Sequence, residues 1–463
     1  MLLAKKLSSS RIGSMRALKK HLPLLLAFGG SLIYISLIFN NNLWMDEAFS
    51  AVLVRGSFSE MLSRSLSDTL PPLYNILAWG MTQVFGYNTL VLKLTSVLPM
   101  IALLFFAFSK LPKLYEAKTA CFFILSMSAM PHFLHYGVEI RMYSLCLAFT
   151  SMAGICALEF YKKQELKSGI FLALFSALSA YSHHYGILAL AFVWIYLFIY
   201  FVLKKRPALK KWIISALLTA LLCLPYVMIT ILQIKNSTSY FSTGTDPAGG
   251  FFAALRYPFV TEFTPLSALL LLSVILLCIF GNRLKEGYAL MSVYVLVLLL
   301  SYGLMMATGK VFFSGRYLLP ALGLFWLGFS ILIPKTKKAF CLIYALLILA
   351  VGSVCYAKQF KEEYKPGVSQ MLAFFDENLS PDDGYIIFED NYEIEWCMRY
   401  YEPDLKKYPP ENTGDIRGRI WYFSVPGYEN MLDESIRDDY NIVYKDSMSF
   451  DRYSFDLYEL VVR

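Results

Sequence analysis

The sequence predicts a polytopic α-helical membrane protein followed by a small α/β domain. Of the 463 residues, 57% are hydrophobic and only 16% are charged. The uncharged runs are long enough to cross a bilayer as helices and too continuously apolar to be barrel strands. From residue 359 onward the chain becomes rich in Asp, Glu, Tyr and Pro and contains no spanning run. These observations separate a membrane domain from a soluble one.

The apolar runs predict about eleven transmembrane helices within residues 22–358, and shifted boundaries would extend this to twelve or thirteen. The runs are 22–40, 89–109, 119–137, 142–160, 169–183, 185–203, 212–234, 265–281, 288–308, 317–333 and 339–357. A shorter run, 72–86, is expected to lie at the membrane interface or dip into it.

Charge alternation between the runs predicts the orientation. The net charge of +8 does not indicate nucleic-acid binding, because most of the excess lies in short loops between apolar runs. By the positive-inside rule the basic tail, 1–21, is cytoplasmic, whereas the first long loop, 41–70, is outside. The domain 359–463 is then extracytoplasmic. We therefore expect a multi-pass protein of the cell (plasma or inner) membrane.

The soluble domain shows both helical and strand patterns. Apolar residues at helical spacing predict a helix over 367–379. Residues 385–388, 420–423, 440–444 and 454–462 are typical of strands. The eight cysteines include no CxxC pair, so neither a zinc site nor a disulfide framework is indicated. The sequence assigns no certain cofactor and leaves a divalent metal ion open.

Two adjacent acids, Asp46 and Glu47, directly follow the first apolar run. Carboxylates this close to a bilayer are costly to dehydrate, so they are usually functional or lie just outside the hydrocarbon. Because the loop 41–70 is predicted to be outside, both acids belong to the extracytoplasmic face. They are the first candidates for catalysis.

Further polar residues are predicted near the same outer face. They are Tyr74, Lys93, Glu139, Arg141, Tyr143, His183, His184, Lys310, Arg316 and Tyr317. A sugar on a polyprenyl phosphate reacts by displacement at its anomeric carbon, which requires a base for the acceptor hydroxyl and cations for the leaving phosphate. Asp46 or Glu47 would supply the base, and the arginines and lysines would bind the phosphate. The set is therefore suited to glycosyl transfer.

These residues also have structural interpretations. Acids favour helix N-termini, so Asp46 and Glu47 could simply begin a helix. Glu139 and Arg141 could form an interfacial ion pair, and Arg316 could extend its side chain toward water. The two adjacent histidines could make helix-end hydrogen bonds, because neighbouring side chains on a helix point in different directions.

Five segments, taken in order, carry a resemblance to a known family. They are 44–50 (WMDEAFS), 68–74 (DTLPPLY), 136–145 (YGVEIRMYSL), 181–186 (YSHHYG) and 315–320 (GRYLLP). Together they resemble the bacterial branch of the dolichyl-phosphate-mannose–protein mannosyltransferase family, which is glycosyltransferase family 39 of the GT-C superfamily. The lipid A aminoarabinose transferases are relatives. The resemblance covers roughly residues 20–360, and the domain 359–463 resembles the variable outer domains of the family.

The resemblance implies a GT-C fold, a polyprenyl-phosphate sugar donor and transfer on the extracytoplasmic face with inversion at the anomeric carbon. It implies that Asp46 is the catalytic carboxylate, with Glu47 beside it in the site. Arg141 and Arg316 would lie near the donor phosphate. The acceptor would be a protein, a lipid or a cell-envelope glycan.

Two departures from the family pattern concern the donor. Leu70 stands where many relatives have a basic residue or His before the two prolines. Phe49 and Ser50 stand where aminoarabinose transferases carry Arg and Tyr, which argues against that activity. The alternative functions are a flippase or transporter of lipid-linked glycans, or a glycan polymerase or ligase. Transporters often show internal repeats, and this sequence has none that we detect.

Overall fold

The computed structural model describes residues 21–236, 247–261, 263–280, 284–309, 314–387, 391–409, 418–425, 440–450 and 453–463. The membrane part of this chain is helical, and several of its connections are helical too. Its helices are α1 His21–Ile35, α2 Met45–Leu53, α3 Phe58–Ser67, α4 Leu73–Phe85, α5 Thr89–Leu114, α6 Ala117–Ala129, α7 Phe133–Val138, α8 Tyr143–Lys163, α9 Leu166–Ser182, α10 His184–Lys204, α11 Arg206–Asn236, α12 Pro247–Arg256, α13 Thr264–Phe280, α14 Lys285–Thr308, α15 Leu319–Leu332 and α16 Lys338–Glu363.

Among the described residues, seven helices are long and apolar enough to cross a membrane: α5, α8, α10, α11, α14, α15 with its flanking turns, and α16. An eighth span results if α13 is counted together with α12, from which it is bent by 85°. Shorter apolar helices are α1, α6 and α9. Each of the predicted apolar runs falls mainly on one of these helices except 119–137, which the structure divides between α6 and the short helix α7. The run 72–86 forms α4, which at thirteen residues is shorter than a bilayer crossing.

Helices α8 and α15 form the centre of the bundle. Nearly every side chain of both helices is buried, whereas α11 and α16 expose most of their apolar surface, as expected for lipid-facing helices. Small residues allow close approach at the centre. A Cβ atom added to Gly328 of α15 would clash with the carbonyl oxygen of Gly287 in α14. Close backbone contact of this kind is typical of packed membrane helices.

A buried ion pair joins two helices of the membrane bundle, α5 and α16. Lys93 of α5 is 1% exposed, and its Nζ donates to Glu363 Oε2 at 2.5 Å and to Asn40 Oδ1 at 2.8 Å. Glu363 is the last residue of α16, and its carbonyl oxygen accepts from Asn42 Nδ2 at 2.9 Å. The pair and these hydrogen bonds therefore fix the start of the loop 41–70 against the end of α16.

The C-terminal domain is a mixed sheet with helices on one face. Its helices are α17 Gly367–Asn378 and α18 Tyr392–Tyr401, and its strands are β1 Gly384–Ile387, β2 Lys406–Lys407, β3 Ile420–Ser424, β4 Tyr440–Phe450 and β5 Tyr453–Val462. The strand order is β2-β1-β3-β5-β4, with β1 parallel to β2 and β3 and the remaining pairs antiparallel. Side chains of α17 and α18 pack on β3 and β5 to form its core.

The four predicted strands and the helix over 367–379 are present, so the α/β character of the domain is confirmed. The sequence pattern did not predict α18 or the two-residue strand β2. Helix α18 is short, at ten residues, and contains four aromatic residues, a type that is enriched in strands. Its orientation depends on tertiary contacts that no local pattern encodes.

The predicted orientation can be tested by cysteine labelling. Ser59 in α3 and Arg206 at the start of α11 are both exposed, and the charge pattern places them on opposite sides of the membrane. In a background without native cysteines, Ser59→Cys should react with an impermeant thiol reagent added to intact cells. Arg206→Cys should react only after permeabilisation. The reverse pattern of labelling would invert the topology.

Candidate functional site

The two acids lie in the first turn of α2, so they do begin a helix, as the structural interpretation holds. Asp46 makes a further contact beyond that role: Arg316 Nη1 donates to Asp46 Oδ2 at 2.6 Å. The side chain of Asp46 is 14% exposed and that of Arg316 is 26% exposed. Arg316 is therefore engaged with a carboxylate rather than only reaching toward water.

Glu47 points in another direction and is buried. Its Oε1 accepts from the Ile140 backbone N–H at 2.8 Å, and its Oε2 accepts from the Trp44 backbone N–H at 3.3 Å. Burial raises the pKa of Glu47 to about 8, although the nearby Lys93 opposes this shift. A carboxyl group with this pKa is largely protonated at neutral pH.

The divergence of the two acids follows from helix geometry. Successive side chains on an α-helix are turned by about 100°, so neighbours in sequence face different partners. Asp46 contacts Arg316 in the turn before α15, and Glu47 contacts the backbone N–H of Ile140 before α8. Ser50 lies between them on the same side of the helix, where its Oγ accepts from Arg141 Nη1 at 3.0 Å.

Arg141 lies in the loop between α7 and α8 and is buried. Its charge interacts with those of Asp46 and Asp68. Burial raises the pKa of Asp68, and the positive charge of Arg141 counteracts this rise. Asp68, Tyr74 and Arg141 line a small recess beside α2. The structure therefore brings together the segments 44–50, 68–74 and 136–145.

Aromatic rings surround Arg316. Its guanidinium carbon lies 5.7 Å from the ring centroids of Trp44 and Tyr143 and 5.9 Å from that of Tyr317. The ring of His183 lies 5.0 Å from that of Tyr317 and 5.8 Å from that of Tyr143. These distances place residues of four of the five segments around one centre, and the fifth, 68–74, adjoins it through the recess that Asp68 and Arg141 share. Cation–π contacts stabilise the guanidinium there.

Three buried polar groups at this centre have no hydrogen-bond partner within the described part of the chain. They are Arg141 Nε, the Tyr143 hydroxyl and His183 Nε2. His183 Nδ1 accepts from the Tyr185 backbone N–H at 3.1 Å, so neutral His183 carries its proton on Nε2. All three groups can thus donate a hydrogen bond. Buried donors without acceptors are costly, and an anionic ligand would satisfy them.

Other predicted residues have partners within the protein. His184 contacts the Tyr226 hydroxyl at 2.8 Å and the Thr69 carbonyl oxygen at 3.2 Å, which fits the helix-end interpretation. Tyr74 and Ser96 share a hydrogen bond of 2.8 Å between their hydroxyls. Lys93 is paired with Glu363, as described above. Lys310 lies outside the described residues.

Glu139 and Arg141 contact different partners. Glu139 Oε1 accepts from the indole N–H of Trp44 at 2.8 Å, whereas Arg141 donates to Ser50. The Glu139 backbone carbonyl also accepts from Ser96 Oγ at 2.6 Å. Glu139 thus helps to hold the segment before α2 against the α7–α8 loop.

A cavity of about 520 Å³ opens beside the acids. Its lining includes four carboxyl side chains, together with histidine, amide and lysine side chains. These are Glu47, Glu139, Glu362 and Glu363 with Asn42, His132, His135, Lys358 and Gln359. Asp46 is not part of this lining, so of the two acids only Glu47 faces the cavity. Over the described ranges, no group of three His, Cys, Asp or Glu side chains is arranged to hold a metal ion.

Sequence reasoning did not identify several residues that build this region. Trp44 was part of a motif without an assigned role, and Glu363 and Ser50 were not candidates. The buried Lys93 was a usable signal, because a lysine in an apolar run requires a partner. Which acid would be that partner could not be read from a sequence separation of 270 residues.

Glu47 should make stability depend on pH. Its folded pKa of about 8 lies above the ordinary value of 4.5, so the folded state loses stability as the pH rises between these values. Glu47→Gln should remove this loss. The difference in stability between the variant and wild type should therefore shift in favour of the variant between about pH 5 and about pH 9. Thermal unfolding of the purified protein measures the difference.

The control for this measurement is Glu60→Gln on the exposed surface of α3. The pKa of Glu60 is lowered by hydrogen bonds from Ser57, so its titration falls below this pH window. Parallel pH profiles for Glu47→Gln and wild type would contradict the assignment of a raised pKa to Glu47.

Comparisons with known proteins complete this description. The family model for dolichyl-phosphate-mannose-protein mannosyltransferases matches residues 69–230. No curated protein matches the chain at a significant level. Among solved structures, apo ArnT from Cupriavidus metallidurans is similar with a TM-score of 0.65 at 9% identity, covering 97% of this chain and 98% of that chain.

Two further structures are similar at low identity. ArnT from Cupriavidus metallidurans bound to undecaprenyl phosphate has a TM-score of 0.62 at 9% identity, covering 94% of this chain and 97% of that chain. The apo oligosaccharyltransferase of Archaeoglobus fulgidus has a TM-score of 0.50 at 12% identity, covering 88% and 70%. The family match and the fold support a membrane glycosyltransferase. The resemblance inferred from the sequence is confirmed: this is a membrane protein with the GT-C fold, similar over 69–230 to the dolichyl-phosphate-mannose-protein mannosyltransferases.

Proposed function

We propose that this protein transfers a sugar from a polyprenyl-phosphate donor to a hydroxyl-bearing acceptor on the extracytoplasmic face of the membrane, with inversion at the anomeric carbon. One observation carries the proposal. Buried hydrogen-bond donors of Arg141, Tyr143 and His183 without acceptors in the described chain surround Arg316, next to the Asp46 carboxylate. An anion site beside a base is the arrangement that this reaction requires.

The donor phosphate is assigned to the cationic side of α2. Arg141 and Arg316 supply positive charge, and Tyr143 and His183 supply neutral donors. Such charge-assisted hydrogen bonds stabilise a phosphate more as it gains charge on leaving, which favours the transition state. One similar structure, ArnT from Cupriavidus metallidurans, is bound to undecaprenyl phosphate, which supports the assignment.

The chemical step is a single displacement. The acceptor oxygen attacks the anomeric carbon and forms the new C–O bond, while the bond from that carbon to the phosphate oxygen breaks. The electron pair of the broken bond stays on the lipid phosphate. The acceptor hydroxyl proton passes to Asp46, which acts as general base. The Arg316 contact orients this carboxylate while leaving its second oxygen for the hydroxyl.

We assign the acceptor to the cavity, with its reacting hydroxyl extending from there to Asp46. The cavity lining includes four carboxyl and two amide side chains, which accept hydrogen bonds from hydroxyls, and the carboxyl groups disfavour a second phosphate. Glu47, largely protonated at neutral pH, is suited to a hydrogen bond with the sugar or acceptor rather than to acting as the base. Glu139 lies in the same wall.

The remaining predicted residues are assigned supporting roles. Tyr317 flanks the guanidinium of Arg316. Tyr74, His184 and Lys93 each bond to other parts of the protein, so we propose that they shape the site rather than carry charge to the phosphate.

Asp46→Asn tests the assigned base. The amide keeps the shape of the side chain and can still accept from Arg316, but it cannot accept the acceptor proton. The variant should bind the polyprenyl-phosphate sugar as wild type does and lose transfer by roughly 100-fold or more. Radiolabelled sugar transfer in membranes measures the loss, with Glu60→Gln as a matched surface control.

Undiminished transfer by Asp46→Asn would contradict the role of this acid. A wild-type protein that moves the lipid-linked sugar across the membrane without breaking the glycosyl–phosphate bond would favour the flippase alternative. A wild-type protein that joins preassembled glycans would favour the polymerase or ligase alternative.

Arg141→Ala tests the phosphate site. Loss of a charged hydrogen-bond donor from a buried site should raise the donor KM by roughly 10- to 100-fold. Arg141→Lys should recover part of the loss, because it retains the charge but not the planar fork. Arg64→Ala, which removes an exposed arginine of α3, is the matched control and should leave the donor KM unchanged. An unchanged donor KM in Arg141→Ala would remove this residue from the site.

A further inference from the structure

Helix α2, which carries the acids, has a second face that packs against the C-terminal domain. Ala48 directly follows Glu47 and is completely buried in the same hydrophobic core as Met371 and Phe375 of α17 and Trp421 of β3. The domain core is thus completed by a residue of the first outer loop. The acids and the domain share one short helix.

Most of the contacts on this face come from α18. The ring of Phe49 packs edge-on against Trp396, with centroids 4.8 Å apart. Arg55, just beyond α2, donates to the carbonyl oxygens of Arg399 and Tyr400 at 3.2 Å each. These carbonyls lie in the last turn of α18, where a cation stabilises the negative end of the helix dipole.

The chain segment before α2 is also held by α18. The hydroxyl of Tyr401 donates to the carbonyl oxygen of Asn41 at 2.6 Å and accepts from the Leu43 backbone N–H at 3.0 Å. The hydroxyl of the preceding residue, Tyr400, bonds to Thr89 Oγ1 at 2.8 Å in the first turn of α5. One end of α18 therefore contacts both the residues that enter α2 and the membrane bundle.

The two faces of α2 lie on opposite sides of the helix. At about 100° per residue, Asp46, Glu47 and Ser50 share the face toward the candidate site, whereas Ala48 and Phe49 share the face toward the domain. A nine-residue helix is too short to be stable on its own in water, so its orientation is set by what packs against it.

We propose that α18 of the C-terminal domain positions the two acids for transfer, with Trp396 and Tyr401 as positioning residues. This role rests on the proposed function. A rotation of α2 by a fraction of a turn would carry Asp46 away from Arg316 and Glu47 away from Ile140. Small displacements of a catalytic group are costly to rate, on the order of 100-fold for about 1 Å.

The test uses full-length protein in lipid nanodiscs with two variants. Tyr401→Phe removes only the hydroxyl that holds residues 41–43, and Trp396→Ala removes the ring that supports Phe49. Hydrogen exchange of the segment 43–54 should become faster in both. At saturating donor, kcat should fall by roughly 10-fold and the donor KM should change much less, because Arg141, Arg316, Tyr143 and His183 of the assigned phosphate site do not lie on α2. Trp396→Phe should recover most of the lost rate.

The matched control is Tyr444→Ala, which truncates an aromatic side chain of the same domain. Tyr444 lies on strand β4 and is 53% exposed, and it contacts Ser447 and Tyr458 of the same sheet. It should change neither the exchange of 43–54 nor kcat. If Tyr401→Phe or Trp396→Ala acted by destabilising the whole domain, exchange would instead become faster across the whole sheet.

Two results would decide against the proposal, and a third would decide against the proposed function on which it rests. Wild-type exchange in 43–54 for both variants would show that α18 does not hold α2. Faster exchange with wild-type kcat would show that transfer does not depend on this contact. A wild-type protein that transfers no sugar would overturn the proposed function itself, and the exchange measurement would then report separately on the contact between α18 and α2.

Discussion

The ion pair between Asp46 and Arg316 is the constraint around which the candidate site is arranged. It joins residues 270 positions apart and fixes the first loop against the start of α15. Removing either partner would leave a poorly solvated charge, which is far more costly than the net gain from forming the pair. Trp44, Tyr143 and Tyr317 lie around the guanidinium, so the position of this one cation determines the positions of three aromatic rings.

The groups beside the two acids of α2 differ in charge. Arginines and buried neutral donors lie on the side of Asp46, and a cavity whose lining includes four carboxyl groups lies on the side of Glu47. A phosphate and a hydroxyl need opposite environments, since one accepts hydrogen bonds and the other must give up a proton. Two adjacent acids on a helix can serve both environments because consecutive side chains diverge. The second acid is thus more than a duplicate of the first.

The sequence located the apolar helices, because apolar length is a local property that the bilayer itself imposes. It also identified Asp46, Arg141 and Arg316 as a set through motifs in a fixed order. It could not assign Glu363 to Lys93, since pairing across 270 residues depends on which helices become neighbours. Nor could it distinguish the directions of Asp46 and Glu47, because the start of α2 at Met45 sets them and helix boundaries are the least certain part of a sequence reading.

The shared helix α2 has a consequence for how such a protein can diverge. Its domain-facing residues must fit α18, and its site-facing residues must fit the α7–α8 loop and the turn before α15, so substitutions on both faces are constrained. Insertion of one residue at its start would turn every later side chain by about 100° and exchange the environments of its two faces. Among homologues, the length of this helix should therefore be more constant than its sequence, and changes at Phe49 should be accompanied by changes at Trp396. If another C-terminal domain replaced this one in evolution, the domain-facing residues of α2 would have to change with it.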